Sequence, residues 1–134
     1  MEQKAIDASL VDVQGTLILG FSTLNAELYQ AMLKAKEQGE NIFIYSSYCS
    51  PKFLKDLGVD TTLFPIISKR ILSSWENGVE YIVTGKIIDD EHPQKWGIKM
   101  TNPNNYIYPD QKNYEFSRDP IPAGVEIANL RISK

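Results

Sequence analysis

Over the first hundred residues, short apolar runs alternate with stretches of helical periodicity, and this alternation restricts the chain to an α/β fold with a mainly parallel sheet. Residues 8–13 (Ala-Ser-Leu-Val-Asp-Val) form the first run, short and mostly apolar, and predict a central strand buried on both faces. Residues 15–21 are a turn-rich link. Ser22 or Thr23 can then cap a helix whose apolar positions Leu24, Leu28, Ala31, Met32 and Ala35 follow a 3.6-residue period, with Gly39 placed to end it. Residues 41–45 (Asn-Ile-Phe-Ile-Tyr) predict a second buried strand that runs into Ser46 and Ser47. Pro51 suits the first turn of a short helix reaching Leu57 and closed by Gly58. A third apolar run, residues 63–67, contains Pro65, which has no N–H for a ladder and so confines the run to a sheet edge or a loop.

Residues 71–76 predict a helix, and Asn77-Gly78 a turn. Residues 79–90 hold two apolar patches, Tyr81-Ile-Val83 and Ile87-Ile88, split by Gly85, and the second ends in Asp89-Asp90-Glu91. A helical turn is expected at residues 94–96 and a short strand at 98–100. From Thr101 onward Asn, Pro and Tyr dominate, and only residues 125–132 regain strand character. With no internal repeat and no long linker, residues 1–134 read as one domain, with 101–134 packed on the core or extending it.

A chain of 134 residues can bury roughly 65–70% of its unfolded surface without covalent staples. Its single cysteine, Cys49, rules out an internal disulfide and fits a reducing compartment. The formal net charge of −3, with no Lys/Arg cluster, argues against a nucleic-acid partner. No apolar run approaches the ~20 residues of a membrane span, and Met-Glu-Gln-Lys lacks the layout of a signal peptide, so a cytoplasmic location is expected.

In an open parallel sheet the carboxyl ends of the strands share one edge and form the ligand crevice. The strand ends here are Asp12, Ser46 and the Asp89/Asp90 pair, with Lys69 in the loop after a further run. Two carboxylates ~4 Å apart repel by about 4 kcal/mol at an effective dielectric near 20. Such a cluster calls for a shared proton or a hard divalent cation, and Mg²⁺ with oxygen ligands is the natural occupant. A nucleophilic Asp beside that cation, with Ser and Lys to hold phosphate oxygens, is a layout for phosphoryl transfer. Other polar and aromatic residues read more simply. His92, before Pro93, is expected at the surface; Trp75, Trp96, Tyr106 and Tyr108 are expected to pack, since no basic track accompanies them; Cys49 is a small filler.

The ordered set resembles the haloacid dehalogenase (HAD) superfamily over roughly residues 8–100. Asp12-Val-Gln-Gly-Thr16 followed by Leu17 matches the family's Asp-x-Asp-Gly-Thr motif at all but the second Asp. Ser46 after Ile42-Phe-Ile-Tyr45 stands for the second motif; Lys69 stands for the third, with Lys86 the weaker candidate; Ile87-Ile-Asp-Asp90 stands for the fourth. The resemblance implies a Rossmann-like three-layer sandwich. It also implies that Asp12 is nucleophile and metal ligand, that the Gln14 carbonyl and Asp89 or Asp90 complete the Mg²⁺ ligands, and that Ser46 and Lys69 hold the phosphoryl group.

Two departures from the family follow. Gln14 stands where its phosphatases have a general acid/base Asp, and an amide cannot give or take that proton at neutral pH. That contribution is worth ~10²–10⁴ in rate. Residues 16–22 and 47–69 are also too short for the family's cap domain. A capless core is expected to act on a phosphorylated, even macromolecular, substrate, or to have its site closed by a second copy of the chain. The reading is therefore a slow or impaired Mg²⁺-dependent phosphohydrolase, with a catalytically inactive, protein-binding relative as the alternative.

Overall fold

A computed structural model describes residues 2–72 and 78–130. Strand β1 (Glu2–Ile6) runs almost directly into β2 (Ser9–Asp12), all four of whose residues are buried. β2 is the first apolar run of the sequence. β1 is new, because Glu2, Gln3 and Lys4 give it a polar start that carries no strand signal. A turn then leads into a hairpin of β3 (Ile18–Leu19) and β4 (Thr23–Leu24).

That hairpin corrects the expected helix start. Thr23 is taken up by β4, and the cap is Asn25, whose side chain accepts from the Leu28 N–H at 3.3 Å. The helix, α1 (Ala26–Glu37), buries Leu28, Tyr29, Met32 and Ala35. Next come β5 (Ile42–Ser46) and α2 (Pro51–Asp56), the latter capped by Ser50 with Pro51 in its first turn. Pro65 sits just ahead of β6 (Ile66–Ser68), an edge strand, so its missing N–H breaks no ladder bond while its carbonyl accepts from Ile44.

The helix expected at residues 71–76 starts earlier, at Lys69, the first residue of α3 (Lys69–Leu72). Residues 73–77, with Trp75 and half of the expected Asn77-Gly78 turn, lie outside the described residues. Then follow β7 (Val79–Val83), β8 (Ile87–Ile88), a 3₁₀ turn at Pro93–Trp96, β9 (Lys99–Met100), β10 (Tyr106–Ile107) and β11 (Glu126–Ile127). β11 covers only part of the expected 125–132 strand, of which residues 131 and 132 are not described.

The architecture is α/β with mainly parallel sheets. One sheet runs β10-β8-β2-β5-β6 and the other β11-β1-β7-β9. In the five-stranded sheet the chain winds outward from β2 through β5 to β6, then returns to place β8 on the other flank of β2. The winding thus reverses between β2 and β8, and such a reversal opens a crevice at the strand carboxyl ends. β1 pairs with β7 and β2 with β8 in a single register, so the two sheets share one bent ribbon. At the bend Gly85 approaches so closely that a Cβ there would lie 2.5 Å from the Ala8 carbonyl oxygen, while Ser9 Oγ takes the Lys86 N–H at 2.9 Å.

Alternating residues of β2, β5, β6 and β8 feed two separate apolar cores, as a sheet covered on both faces requires. Val11, Ile42, Ile44, Ile66 and Ile88 pack with Leu28, Met32 and Leu54 of the helices α1 and α2. Leu10, Tyr45, Ile67 and Ile87 face the other way, toward Ile6, Val83, Leu72 and Ile98. The C-terminal segment both extends the sheets, through β10 and β11, and packs on the core through Phe116. Among the described residues no helix is long and apolar enough to cross a membrane.

Candidate functional site

β2 delivers Asp12 to the crevice, and the register explains who meets it. Asp12 pairs with Tyr45 of β5, and Val11 with Ile88 of β8, so Asp89, the next residue, comes alongside Asp12. Residues in register on neighbouring strands point to the same face. Asp12, Tyr45 and Asp89 therefore converge, and Lys69, opening α3 just past β6, reaches in from the flank. Its Nζ lies 2.8 Å from Asp12 Oδ1 and 3.4 Å from Asp89 Oδ2. All four residues are buried.

The turn after β2 completes the wall. Gly15 has a φ of 82°, and a Cβ on it would collide with the Asp90 carboxylate, so both backbone and space require glycine. Thr16 is fully buried; its hydroxyl donates to Asp12 Oδ2 at 3.3 Å and accepts from the Asp90 N–H at 3.1 Å. It ties the end of β2 to the loop after β8. Asp12, Asp89 and Asp90 each offer a carboxylate oxygen, all within 4.8 Å of one another.

Burial dominates the electrostatics. Desolvation, aided by the charge of Asp89, raises the Asp12 pKa from the usual carboxylate value to about 7, although Lys69 pulls it the other way. Asp89 is also raised, chiefly by burial, against hydrogen bonds from Tyr45 and from the Glu91 N–H. The Tyr45 hydroxyl, buried and facing Asp89, is pushed well above its ordinary value and stays a donor. Three carboxylates and one ammonium leave a formal excess of two negative charges when all are ionised. A divalent cation would cancel it.

Of the residues expected from sequence, the fold brings Asp12, Lys69, Asp89 and Asp90 together. Lys86, the weaker candidate for Lys69's role, points elsewhere and donates to Asn105 Oδ1 at 3.0 Å. Ser46 ends β5 at the same edge, but its Oγ accepts from the Tyr48 N–H at 3.2 Å, and among the described residues it makes no hydrogen bond to the carboxylates. Gln14 is exposed on the turn. His92 is exposed and caps the 3₁₀ turn through Nδ1. Burial raises the Cys49 thiol, the opposite of an activated nucleophile.

Three contributors escaped the sequence. Tyr45 donates to Asp89, and its ring centroid lies 4.6 Å from Lys69 Nζ. The Trp96 ring centroid lies 5.3 Å from the same ammonium, and its buried indole N–H has no acceptor among the described residues. Tyr106 donates to the Asp89 carbonyl at 3.0 Å. Thr16 was legible only as part of a motif. Tyr45 had one available signal, its pairing parity with Asp12; Trp96 and Tyr106 had none, because short tertiary pairings place them. No family model matches the chain, and neither curated proteins nor solved structures give a significant match.

Proposed function

We propose that the chain is a capless, HAD-like phosphohydrolase core, a Rossmann-like three-layer sandwich that acts in the cytoplasm on a phosphorylated substrate through Asp12. The observation that carries this reading is the convergence of Asp12, Lys69, Asp89 and Asp90 at the β2–β8 reversal. The oxygen-only donor set and its excess negative charge fit Mg²⁺. Asp12 would hold the ion with Asp89 or Asp90 and the Gln14 carbonyl, and bound there it would neutralise charge on the phosphoryl oxygens and keep Asp12 ionised.

An Asp12 carboxylate oxygen attacks phosphorus in line, the ester P–O bond breaks, and an aspartyl phosphate forms. Lys69 stabilises the transferring oxygens. The Trp96 indole, its ring centroid 5.3 Å from Lys69 Nζ, has a buried N–H with no acceptor among the described residues, and it would donate to an anionic group that reached it. The leaving oxygen must take its proton from solvent, because Gln14 cannot supply one, and water then cleaves the acyl phosphate slowly. Beryllium fluoride with Mg²⁺ should raise the melting temperature of the wild type and not that of Asp12→Asn. An absent or equal shift in the two proteins contradicts the reading.

Gln14 favours a second reading, a non-catalytic relative that binds a protein partner. A phosphatase screen on Gln14→Asp separates the two. Turnover rising by ~10²–10⁴ supports the enzyme; unchanged inactivity supports the binding module.

A further inference from the structure

A cavity of about 660 Å³ opens beside β10, lined by the Asn-rich C-terminal segment; none of the clustered acids lines it, and Tyr106 is the residue common to both. Its floor is a locked polar chain. Asn105 is buried; its Oδ1 accepts from Lys86 Nζ at 3.0 Å and its Nδ2 donates to Asp119 Oδ2 at 2.9 Å. The Thr101 hydroxyl donates to that same Asp119 oxygen at 2.7 Å. Asp119 Oδ1 and the remaining Lys86 N–H groups have no partner among the described residues.

The rim follows a second rule. The side-chain oxygens of Asn102 and Gln111 are taken by the backbone N–H groups of Asn104 and Tyr108, at 2.9 and 3.1 Å. Neither carboxamide NH₂ has a partner among the described residues, so both remain available to a ligand. Glu115 adds an acceptor.

Donors and acceptors thus both line a space of ligand size. An anion would meet Asp119 and Glu115, and a cation would meet Lys86. Hydroxyl groups, each both donor and acceptor, satisfy both kinds of partner at once. We propose that this cavity binds a neutral polyhydroxylated ligand, a sugar unit of one or two rings, independently of the chemistry at Asp12.

Backbone amide NMR on the full chain tests this with maltose and cellobiose as neutral probes, and with inorganic phosphate and spermidine as charged ones. The expected result is saturable shifts in residues 101–119 with at least one disaccharide by about 10 mM. A longer oligomer of that sugar run alongside tells a chain from a free sugar, tighter binding by the oligomer assigning the chain. Gln111→Glu keeps the oxygen that caps Tyr108 but loses the NH₂ donor, and should weaken binding about 3–10-fold with free-state shifts changed only around residues 108–112. Sugar shifts that are absent at ~50 mM, that lie only at the acid cluster, that are matched by phosphate or spermidine at residues 101–119, or that survive Gln111→Glu undiminished overturn the proposal.

Discussion

The ribbon that joins the two sheets carries two charge clusters, each built from acids around one cation. At its bend, Arg118 donates through Nε to Glu40 at 3.0 Å and through one terminal nitrogen to the Asp7 side chain and carbonyl, both at 3.2 Å. At the end of β2, Lys69 meets Asp12 and Asp89. The first cluster is 25–32% exposed, so water screens what the Arg118 fork does not satisfy. In the second no side chain exceeds 8%, and a third acid, Asp90, stands beside it. A planar fork spread over two acids closes a structural clasp. A point charge shared by buried carboxylates leaves a site that still needs a counter-charge.

Lys69→Met is the hardest blow to this contrast. Without its ammonium, buried carboxylates lose their compensation, and urea unfolding at pH 8 should show a loss of about 3–5 kcal/mol. At pH 5 the loss should shrink, because the carboxyls can take up protons instead of remaining charged. Mg²⁺ should recover part of the loss at pH 8. An equal cost at both pH values would mean that Lys69 acts through packing alone.

The second effect is the pH response of the wild type. Asp12 titrates near 7 when folded and near 3.8 when unfolded, so the folded state holds the extra proton between those values. Its contribution is complete below about pH 4 and is lost as pH rises through 7. Metal-free melting temperature should therefore drift down over that window, Mg²⁺ should flatten the drift, and Asp12→Asn should abolish Asp12's share of it. A rising curve that Asp12→Asn leaves intact would contradict the burial argument. Arg118→Met gives the smallest effect, about 1 kcal/mol or less with no response to Mg²⁺. A loss there as large as that of Lys69→Met would erase the distinction between clasp and site.

The acids and lysine of the cluster were legible because each ends an apolar run or follows one, and a parallel sheet collects such ends on one edge. The supporting side chains were hidden for the opposite reason. Tyr45 closes an apolar run and reads as core until pairing with Asp12 shows which face it occupies. β10 has two residues between prolines and asparagines, and only its ladder with β8 makes it a strand. The hairpin of β3 and β4 displaced the helix start because local pairing consumed Thr23, one of the two residues expected to cap it.

Whether the acid cluster holds a cation is decided by a crystal grown with Mn²⁺. An anomalous peak is expected about 2.0–2.3 Å from oxygens of Asp12 and of Asp89 or Asp90, absent from Asp12→Asn crystals. Ordered Asp12, Asp89 and Asp90 carboxylates with no peak between them, at a Mn²⁺ concentration that occupies other sites in the same crystal, would contradict it.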